Sequence, residues 1–321
     1  MHASKEHIRM PNTEDEIRLV MGLYERNDHP GCIGSVDCVH VIWDKYRSGM
    51  QALCTGKEKV PTLVFEAACS HTRRILSVSS WFFGTYNDKT ISKYDPVMQQ
   101  LKEAPFSDIE WIALSKSENG EIVEKKQIGA YFMCDGGYHL WETLIPPYKD
   151  QLEGTSMMEW SKHNESSRKD IECVFGINKK RFLFLKHPIR FHDPELIQRA
   201  VVTCFVLHNL LLEYDGKDNW EYQLCDDEYD ANAAYGTLET LASCNVSKCR
   251  KNNRSLESGI SRSSYNRNGP GDGIALDTSY HEPDSSAETT SSKILFHKRR
   301  EILVEHFRIM KNKRVLHSML R

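Results

Sequence analysis

Three acidic residues lie where their surroundings make a carboxylate useful for chemistry. Asp37 lies inside the apolar run 35–42, where an ionised carboxylate is costly unless a cation or another partner compensates it. Asp135 follows the apolar run 128–134 and precedes two glycines, which permit a sharp turn and leave room beside the carboxylate. Glu172 lies within a segment that has helical periodicity.

Two acids on strands and a third on a helix can converge on one edge of a sheet. Carboxylate oxygens are hard ligands, which suit Mg²⁺ or Mn²⁺ better than Zn²⁺. Two such ions can activate a water or a 3′-hydroxyl and stabilise the leaving oxygen of a phosphodiester. Without a cation, carboxylates this close repel each other, so we expect a raised pKa for at least one of them. The residue types also fit ordinary roles, because strand Asp residues often lie at edges and helical Glu residues often face solvent.

The apolar periodicity predicts the elements that must position these acids. Three strands come first, then helices and strands alternate, and this order predicts a mixed α/β sheet flanked by helices. A further helix is expected at 14–25, ahead of the sheet. The expected strands are 35–42, 62–69, 74–83 and 128–134, and the expected helices are 87–101, 164–178 and 194–213.

The composition changes along the chain and predicts four regions. They are an N-terminal helical segment at 1–30, the apolar-rich domain at 31–214, an acidic and then Ser/Asn-rich region at 215–292, and a basic segment at 293–321. The third region has few large apolar residues, so we expect it to lack regular structure. The last region places Leu303, Phe307 and Met310 on one side of a predicted amphipathic helix, which could bind DNA, a partner helix or the nuclear import machinery.

The overall composition is typical of a globular protein of the cell interior. The chain has 321 residues, 40% of them hydrophobic, and a net charge of −3. No run approaches 18 consecutive apolar residues, so no membrane span is predicted, and the first twenty residues contain no apolar run typical of a secretory signal. The ten cysteines are scattered without a Cys-x-x-Cys pair, which predicts free thiols and no structural zinc site.

Several short motifs occur in a fixed order and together resemble the plant-type branch of the PIF/Harbinger transposases and their nuclease relatives. The resemblance covers about 31–214, and the segment 299–307 is similar to the terminal helix of that family. The motifs are 31–40 (GCIGSVDCVH), 55–57 (TGK) with 61–62 (PT), 84–88 (GTYND), 135–138 (DGGY), 168–176 (RKDIECVFG), 181–182 (RF) and 207–211 (LHNLL).

The resemblance implies a ribonuclease-H-like fold and a metal-dependent DNA endonuclease or strand-transferase that uses a two-metal mechanism. Its acidic triad matches Asp37, Asp135 and Glu172, which would be both the catalytic residues and the ligands of Mg²⁺ or Mn²⁺. Action on DNA implies the nucleus. Members of the family usually carry a helical DNA-binding segment before the catalytic core, and only about thirty residues precede Gly31, so a separate DNA-binding partner protein is also considered. The alternative is a domesticated module that binds DNA or protein without turnover.

Basic residues near these motifs are candidates for contacts with DNA phosphates, although isolated surface charges are equally common. We expect them to form a positive rim around the acidic site. They are Lys57, Arg168, Lys179, Lys180 and Arg181.

Four other polar residues have more than one interpretation. Asp88 is either an additional acid beside the metals or a helix N-cap, and the N-cap is favoured. His40 comes three residues after Asp37, so its side chain should point to the opposite face of the strand, in a structural role. His208 and Asn209 lie in an apolar helix, where buried hydrogen bonding is favoured over chemistry.

Overall fold

The structure, a computed structural model, describes residues 6–149, 152–218 and 289–319. They belong to one unit, Met1–Tyr222 together with Ser286–Arg321, and the second unit, Gln223–Ser285, lies outside the described residues. The prediction that 215–292 lacks regular structure therefore concerns mainly residues that the structure does not describe.

The elements of the described residues alternate between strands and helices. The helices are α1 (Glu14–Arg26), α2 (Gln51–Cys54), α3 (Asp88–Tyr94), α4 (Pro96–Gln100), α5 (Ser156–Arg181), α6 (Leu183–Lys186), α7 (Pro194–Tyr214) and α8 (Thr289–Met319). The strands are β1 (Cys32–Ile42), β2 (Thr62–Cys69), β3 (Ile75–Val78), β4 (Phe82–Phe83), β5 (Glu110–Lys116), β6 (Ile122–Ile128), β7 (Tyr131–Met133) and β8 (Leu144–Ile145).

The main sheet is mixed and has β1 near its centre. Its strand order is β3-β2-β1-β7-β8, with β4 paired to β2. Strand β1 is antiparallel to β2 and parallel to β7, and β7 is parallel to β8. Strands β5 and β6 form a separate antiparallel hairpin. The expected fold class, a ribonuclease-H-like mixed sheet flanked by helices, is confirmed.

The two faces of β1 contact different helices. Val36 packs in one core with residues of α1 and α8, including Tyr24 and Leu303. Val39 and Val41 pack in the other core, which contains residues of α5 and α7. Because side chains alternate along a strand, Asp37 is on the same face as Val39, towards α5.

Helix α1 confirms the prediction for 14–25. The Thr13 side chain accepts a hydrogen bond from the backbone N–H of Glu16 at 3.2 Å, which caps the first turn. Ile17, Met21 and Tyr24 are buried at helical spacing, so one stripe of the helix packs on the sheet.

Several predicted boundaries are wrong for local reasons. The predicted helix 87–101 is two helices, α3 and α4, because Asp95 precedes Pro96, and a residue before proline is disfavoured in helical geometry. The predicted strand 128–134 is shortened to β7, since Gly129 has a φ of 92° and separates it from β6. The predicted strand 74–83 is divided into β3 and β4.

Helix α7 has the length and mean hydropathy of a helix that could cross a membrane, although it lacks a long uninterrupted apolar run. Its apolar composition has a simpler cause, because Ile197, Val201 and Phe205 pack in the core under the sheet. The seven cysteines within the described part of the chain are free, as expected.

Helix α8 confirms the helix expected at 293–321, and its apolar side packs on the rest of the unit through Phe296, Leu303 and Phe307. The buried guanidinium of Arg299 donates to the carbonyl oxygens of Glu142 at 2.8 Å and Ile128 at 2.5 Å. Part of the basic charge of this helix therefore has a structural role.

Candidate active site

The sheet register places Asp37 and Asp135 side by side. Ser35 of β1 is paired with Met133 of β7, and the two strands are parallel. Asp37 and Asp135 each lie two residues beyond this pair, Asp37 in the middle of β1 and Asp135 just after the end of β7. Because side chains two residues apart point to the same face, the two carboxylates are on neighbouring chains at the same level.

Helix α5 brings the third acid close to Asp37. Ile171, Val174 and Phe175 are buried against the sheet and fix the rotation of the helix. Arg168 and Glu172, one turn apart, lie beside this stripe. The side chain of Glu172 is about half exposed, at 48%.

One guanidinium group connects two of the three acids. Nη1 of Arg168 donates to Oδ2 of Asp37 at 3.2 Å, and Nη2 donates to Oε1 of Glu172 at 2.7 Å. Arg168 also lines a cleft together with Asp135. The structure thus bonds Arg168 to Asp37 and Glu172 and places it in one cleft with Asp135.

Asp88 lies next to Asp135, and its favoured interpretation as a helix N-cap is wrong. The cap of α3 is Asn87, whose Oδ1 accepts from the backbone N–H of Thr90 at 2.8 Å. A Cβ added to Gly137 would lie 2.7 Å from Oδ2 of Asp88 and 2.9 Å from Oδ1 of Asp135. Only glycine leaves enough room for both carboxylates here, which fits the expected role of the glycines after Asp135.

The pKa of Asp37 is raised to about 6, which confirms that at least one carboxyl has a raised pKa. Burial is the largest cause, and repulsion from Asp135 and Asp88 adds to it. A hydrogen bond from the backbone N–H of Cys38 and the charge of Arg168 act in the opposite direction. Asp37 is therefore a partly compensated carboxyl that a further cation would stabilise in its ionised form.

The donor set has the chemistry that Mg²⁺ or Mn²⁺ requires, since Asp37, Asp88, Asp135 and Glu172 all offer carboxylate oxygens. Within the described residues, however, no group of three or more His, Cys, Asp or Glu side chains has the arrangement of a ready metal site. Arg168 is hydrogen-bonded to two of these acids and acts as their counter-charge. The residue types fit a divalent metal, and the assignment of the site stays a prediction.

A polar cleft opens beside Asp135 and contains residues that the sequence motifs did not point to. Lys149 lies at its rim, where its Nζ donates to the carbonyl oxygen of Gly136 at 3.1 Å. Asp135 and Lys149 are well separated along the chain, and no sequence motif indicated that they lie at the same cleft. The cleft is lined by Asp135, Gly136, Gly137, Pro147, Tyr148, Lys149, Glu165 and Arg168.

The basic candidates occupy different environments. Lys57 and Lys180 are exposed, and Lys179 is half-buried. Burial, with added contributions from the charges of Lys57 and Lys179, lowers the pKa of His40, and Asp88 acts on the same histidine. The charges of Lys57, Lys179 and Asp88 therefore act on His40. Their contact with DNA stays a prediction.

Arg181, another basic candidate, has an internal partner. Its Nη1 donates to Nδ1 of His208 at 3.1 Å, and Nε2 of His208 lies 3.0 Å from the carbonyl oxygen of Arg73. Since Arg181 can only donate, His208 is neutral with its proton on Nε2. Burial first, and then Arg181, lowers the pKa of His208 to about 4.

The remaining polar candidates have structural partners. Asn209 accepts from the backbone N–H of Ile75 at 2.9 Å and donates to its carbonyl oxygen at 2.8 Å, so it links α7 to β3. His40 bonds the Thr62 hydroxyl through Nδ1 at 2.9 Å. The structural interpretations of His208 and Asn209 are confirmed, and that of His40 stays a prediction.

Comparisons with known proteins agree on one family. The model of the family described as plant transposon protein matches residues 5–219. The protein named ALP1-like from Arabidopsis thaliana is 22% identical over 215 residues, which cover 65% of this chain and 49% of the relative. A second protein of that plant, Antagonist of Like Heterochromatin Protein 1, is 20% identical over 210 residues, covering 65% and 51% respectively. The chain thus spans about half the length of these relatives. No solved structure matches it.

Proposed function

Because the chain belongs to the plant transposon protein family and is related to the Harbinger-type transposases, we propose that it is a metal-dependent DNA nuclease. It would cut or transfer phosphodiester bonds through Asp37, Asp135 and Glu172, with 31–214 as the nuclease domain. The observation that supports the proposal is the pair of hydrogen bonds from Arg168 to Asp37 and Glu172, beside a cleft that Asp135 also lines.

The carboxylates of Asp37 and Asp135 would hold Mg²⁺ or Mn²⁺, with Glu172 completing the ligand set. A bound divalent cation supplies the charge that activates a nucleophile and stabilises the leaving oxygen of a phosphodiester. Glu172 is exposed enough to orient a water or a 3′-hydroxyl that approaches from solvent. Arg168 would supply positive charge beside the scissile phosphate, since a guanidinium binds phosphate oxygens in the same forked geometry as carboxylates.

DNA, and with it the nucleus, follow from this proposal. The basic side chains Lys57, Lys179, Lys180 and Arg181 would contact phosphates on both sides of the acids, and Lys149 adds a further charge at the cleft. A separate DNA-binding protein would supply recognition of the target sequence, because phosphate contacts carry no base information.

A second function, binding without turnover, is favoured by one observation. Arg168 compensates Asp37 and Glu172 without a metal, so the fold satisfies both charges by itself. One relative is named as an antagonist of another protein. The corresponding proposal for this chain is a module that holds DNA or a protein partner.

Nicking of supercoiled plasmid in the presence of Mn²⁺ separates the two functions. We expect wild-type protein to nick the plasmid, and Asp37→Asn and Asp135→Asn to lose about 100-fold or more of the rate, since each removes a metal-binding charge. Asp108→Asn, the same change at an exposed acid outside the cleft, is the matched control and should leave nicking unchanged. Wild-type protein that binds the plasmid without nicking it would favour the binding module, and nicking that persists in both variants would reject the proposed site.

A further inference from the structure

The hairpin of β5 and β6 has one covered edge and one open edge. The backbone N–H groups of Leu114 and Lys116 in β5 donate to side chains of α8, namely His306 at 3.0 Å and Glu305 at 2.8 Å. On the other side, β6 pairs with no strand but β5 among the residues that the structure describes. An open strand edge is a template for pairing with another strand.

The register decides which backbone groups of β6 face outward. Directly opposite residues of an antiparallel pair alternate between hydrogen-bonded and non-hydrogen-bonded pairs. Ser117 N–H donates to the carbonyl oxygen of Glu121 at 2.8 Å, and Gly129 N–H donates to that of Ile109 at 2.8 Å, so the odd-numbered residues form the bonded pairs. The even-numbered residues Leu114 and Lys116 accordingly donate away from β6. The outward groups of β6 therefore belong to Ile122, Glu124, Lys126 and Ile128.

The side chains of these four residues form a series along the strand that is complementary to itself in the reverse direction. Their side chains share one face of the hairpin, and in order they are apolar, acidic, basic and apolar. Two copies of β6 that run antiparallel with their centres at Lys125 would place Glu124 opposite Lys126 of the second copy, and Ile122 opposite its Ile128. Each of these contacts occurs twice because the arrangement has two-fold symmetry.

We propose that the chain forms a symmetric dimer by antiparallel pairing of β6 with β6 of a second copy, which joins two hairpins into a four-stranded sheet. Ile122 and Ile128 are exposed by 47% and 55% in the single chain, and the pairing would cover them. This inference goes beyond the proposed function and does not depend on it.

The register centred at Lys125 is the one that keeps bonded positions opposite each other and also pairs Glu124 with Lys126, although it places Lys125 opposite its own copy. A register that sets even-numbered residues opposite odd-numbered residues of the second copy is excluded. The outward N–H and C=O groups belong to the even-numbered residues, and these must lie opposite each other to form hydrogen bonds. A shift of the centre to Glu124 sets two acids against each other, and a shift to Lys126 sets two lysines against each other. Like charges directly opposite each other are destabilising. The pairing of Glu124 with Lys126 at the bonded positions therefore favours the centre at Lys125.

The two lysines of β6 also interact with acidic residues of their own chain. Nζ of Lys126 lies 2.5 Å from Oε2 of Glu110 on the outer face of the hairpin. Lys125 points to the opposite face, where it would meet Lys125 of the second copy. Its charge acts on Glu305, whose carboxylate accepts hydrogen bonds from Lys116 N–H and the Ser115 hydroxyl. The carboxylate of Glu305 in each copy offsets the repulsion between the two lysines.

The carbonyl groups at two outward positions already accept one hydrogen bond each. Gln127 Nε2 donates to the carbonyl oxygen of Lys126 at 2.8 Å, and Arg299 donates to that of Ile128. A carbonyl oxygen has two lone pairs, so that of Lys126 can still accept from a second strand, whereas the buried Arg299 covers that of Ile128.

Cysteine cross-linking of the full chain tests the register. Residues at the centre form a non-hydrogen-bonded pair, in which the Cα atoms are roughly 4.5 Å apart, within the range of a disulfide. We expect Lys125→Cys to give a disulfide-linked dimer under mild oxidation, at a level well above wild-type protein. Ile122→Cys is the control, because the two copies of residue 122 lie at opposite ends of the paired strands. Equal cross-linking of both variants, or none with Lys125→Cys, would overturn the proposal.

Sedimentation of wild-type protein and two variants tests the pairing itself. Wild-type protein should dimerise in the micromolar range, and Glu124→Lys should raise the dimer dissociation constant by about tenfold or more, because it sets like charges opposite each other. Glu118→Lys makes the same charge change in the turn and is the matched control. Glu124→Pro removes an outward N–H without touching the ladder to β5 and should also give monomer. A wild-type monomer at all concentrations, or a dimer that both Glu124 variants leave intact, would overturn the proposal.

Discussion

Arg168 donates a hydrogen bond to Asp37 across the gap between α5 and β1, with Nη1 3.2 Å from Oδ2. Both side chains are largely shielded from solvent, with exposures of 14% and 22%. The arginine is the nearest compensating charge of a carboxyl that burial and two neighbouring acids disfavour in its ionised form. A divalent cation bound here would take over that compensation.

Replacement of Arg168 should therefore be costly without metal and less costly with it. We expect Arg168→Gln to lower the free energy of unfolding by about 1–3 kcal/mol in chelator, because Asp37 and Glu172 lose a charged hydrogen-bond donor. Saturating Mn²⁺ should restore most of the loss. Chemical denaturation with and without Mn²⁺ measures both quantities. Lys169→Gln, at a neighbouring exposed position, is the control. If Arg168→Gln lowered the free energy of unfolding equally in chelator and in Mn²⁺, a metal would not replace the arginine as the counter-charge of these acids.

Variants of Asp88 and Asn87 should distinguish a role in metal binding from a role in helix capping. Asn87→Ala removes the cap of α3 and should destabilise the fold by about 1 kcal/mol, with little effect on metal affinity. Asp88→Asn should preserve stability and weaken Mn²⁺ binding by about tenfold, since it removes a carboxylate beside Asp135. Calorimetric titration with Mn²⁺ and thermal melting give the two measurements. Unchanged Mn²⁺ affinity in Asp88→Asn would remove this residue from the site.

The sequence predicted the central strands and the acids that they carry because apolar runs mark buried strands. It favoured Asp88 as the helix N-cap, whereas the cap is Asn87, because both residue types cap helices and a one-residue shift exchanges their roles. The contact of Arg168 with Asp37 joins residues far apart in the chain, and no local pattern reports it. Helical spacing explains only the contact between Arg168 and Glu172, which are four residues apart.

The hairpin of β5 and β6 was not predicted from the sequence, for a different reason. Trp111, Ala113 and Ser115 of β5 are buried in alternation, but most of β6 is exposed and carries charges. A strand without a buried face has no apolar periodicity. The same absence of burial leaves its outer edge available for pairing.

The buried histidine of α7 predicts a pH dependence. The pKa of His208 falls from its ordinary value of 6.5 to about 4 in the folded state, so the unfolded chain takes up a proton first as the pH falls. The contribution of His208 is complete above pH 6.5 and is lost as the pH falls towards 4, by up to about 3 kcal/mol. His208→Gln should be less stable at pH 7 and lose less stability on acidification. Denaturation curves between pH 7 and 4 measure the difference, and parallel curves for the two proteins would contradict it.

The basic end of α5 should contribute to DNA affinity if the acids act on DNA. We expect the combined change of Lys179, Lys180 and Arg181 to Ala to weaken binding of duplex DNA and to reduce its salt dependence, by roughly one unit of slope for each lost phosphate contact. Because Arg181 also bonds His208, the double variant of Lys179 and Lys180 alone should show most of the effect with an intact fold. Titrations at several salt concentrations measure the slope. Unchanged binding by both variants would place the DNA path elsewhere.

The central claim is that Asp37 and Asp135 hold a catalytic metal, and anomalous diffraction from a crystal grown with Mn²⁺ tests it most directly. The account predicts a manganese peak within about 2.2 Å of carboxylate oxygens of both residues, the distance typical of oxygen ligands of small divalent cations. Arg168 should then no longer donate to Asp37. The assignment would be contradicted by a crystal at saturating Mn²⁺ in which manganese is absent from both carboxylates and Arg168 still bonds Asp37.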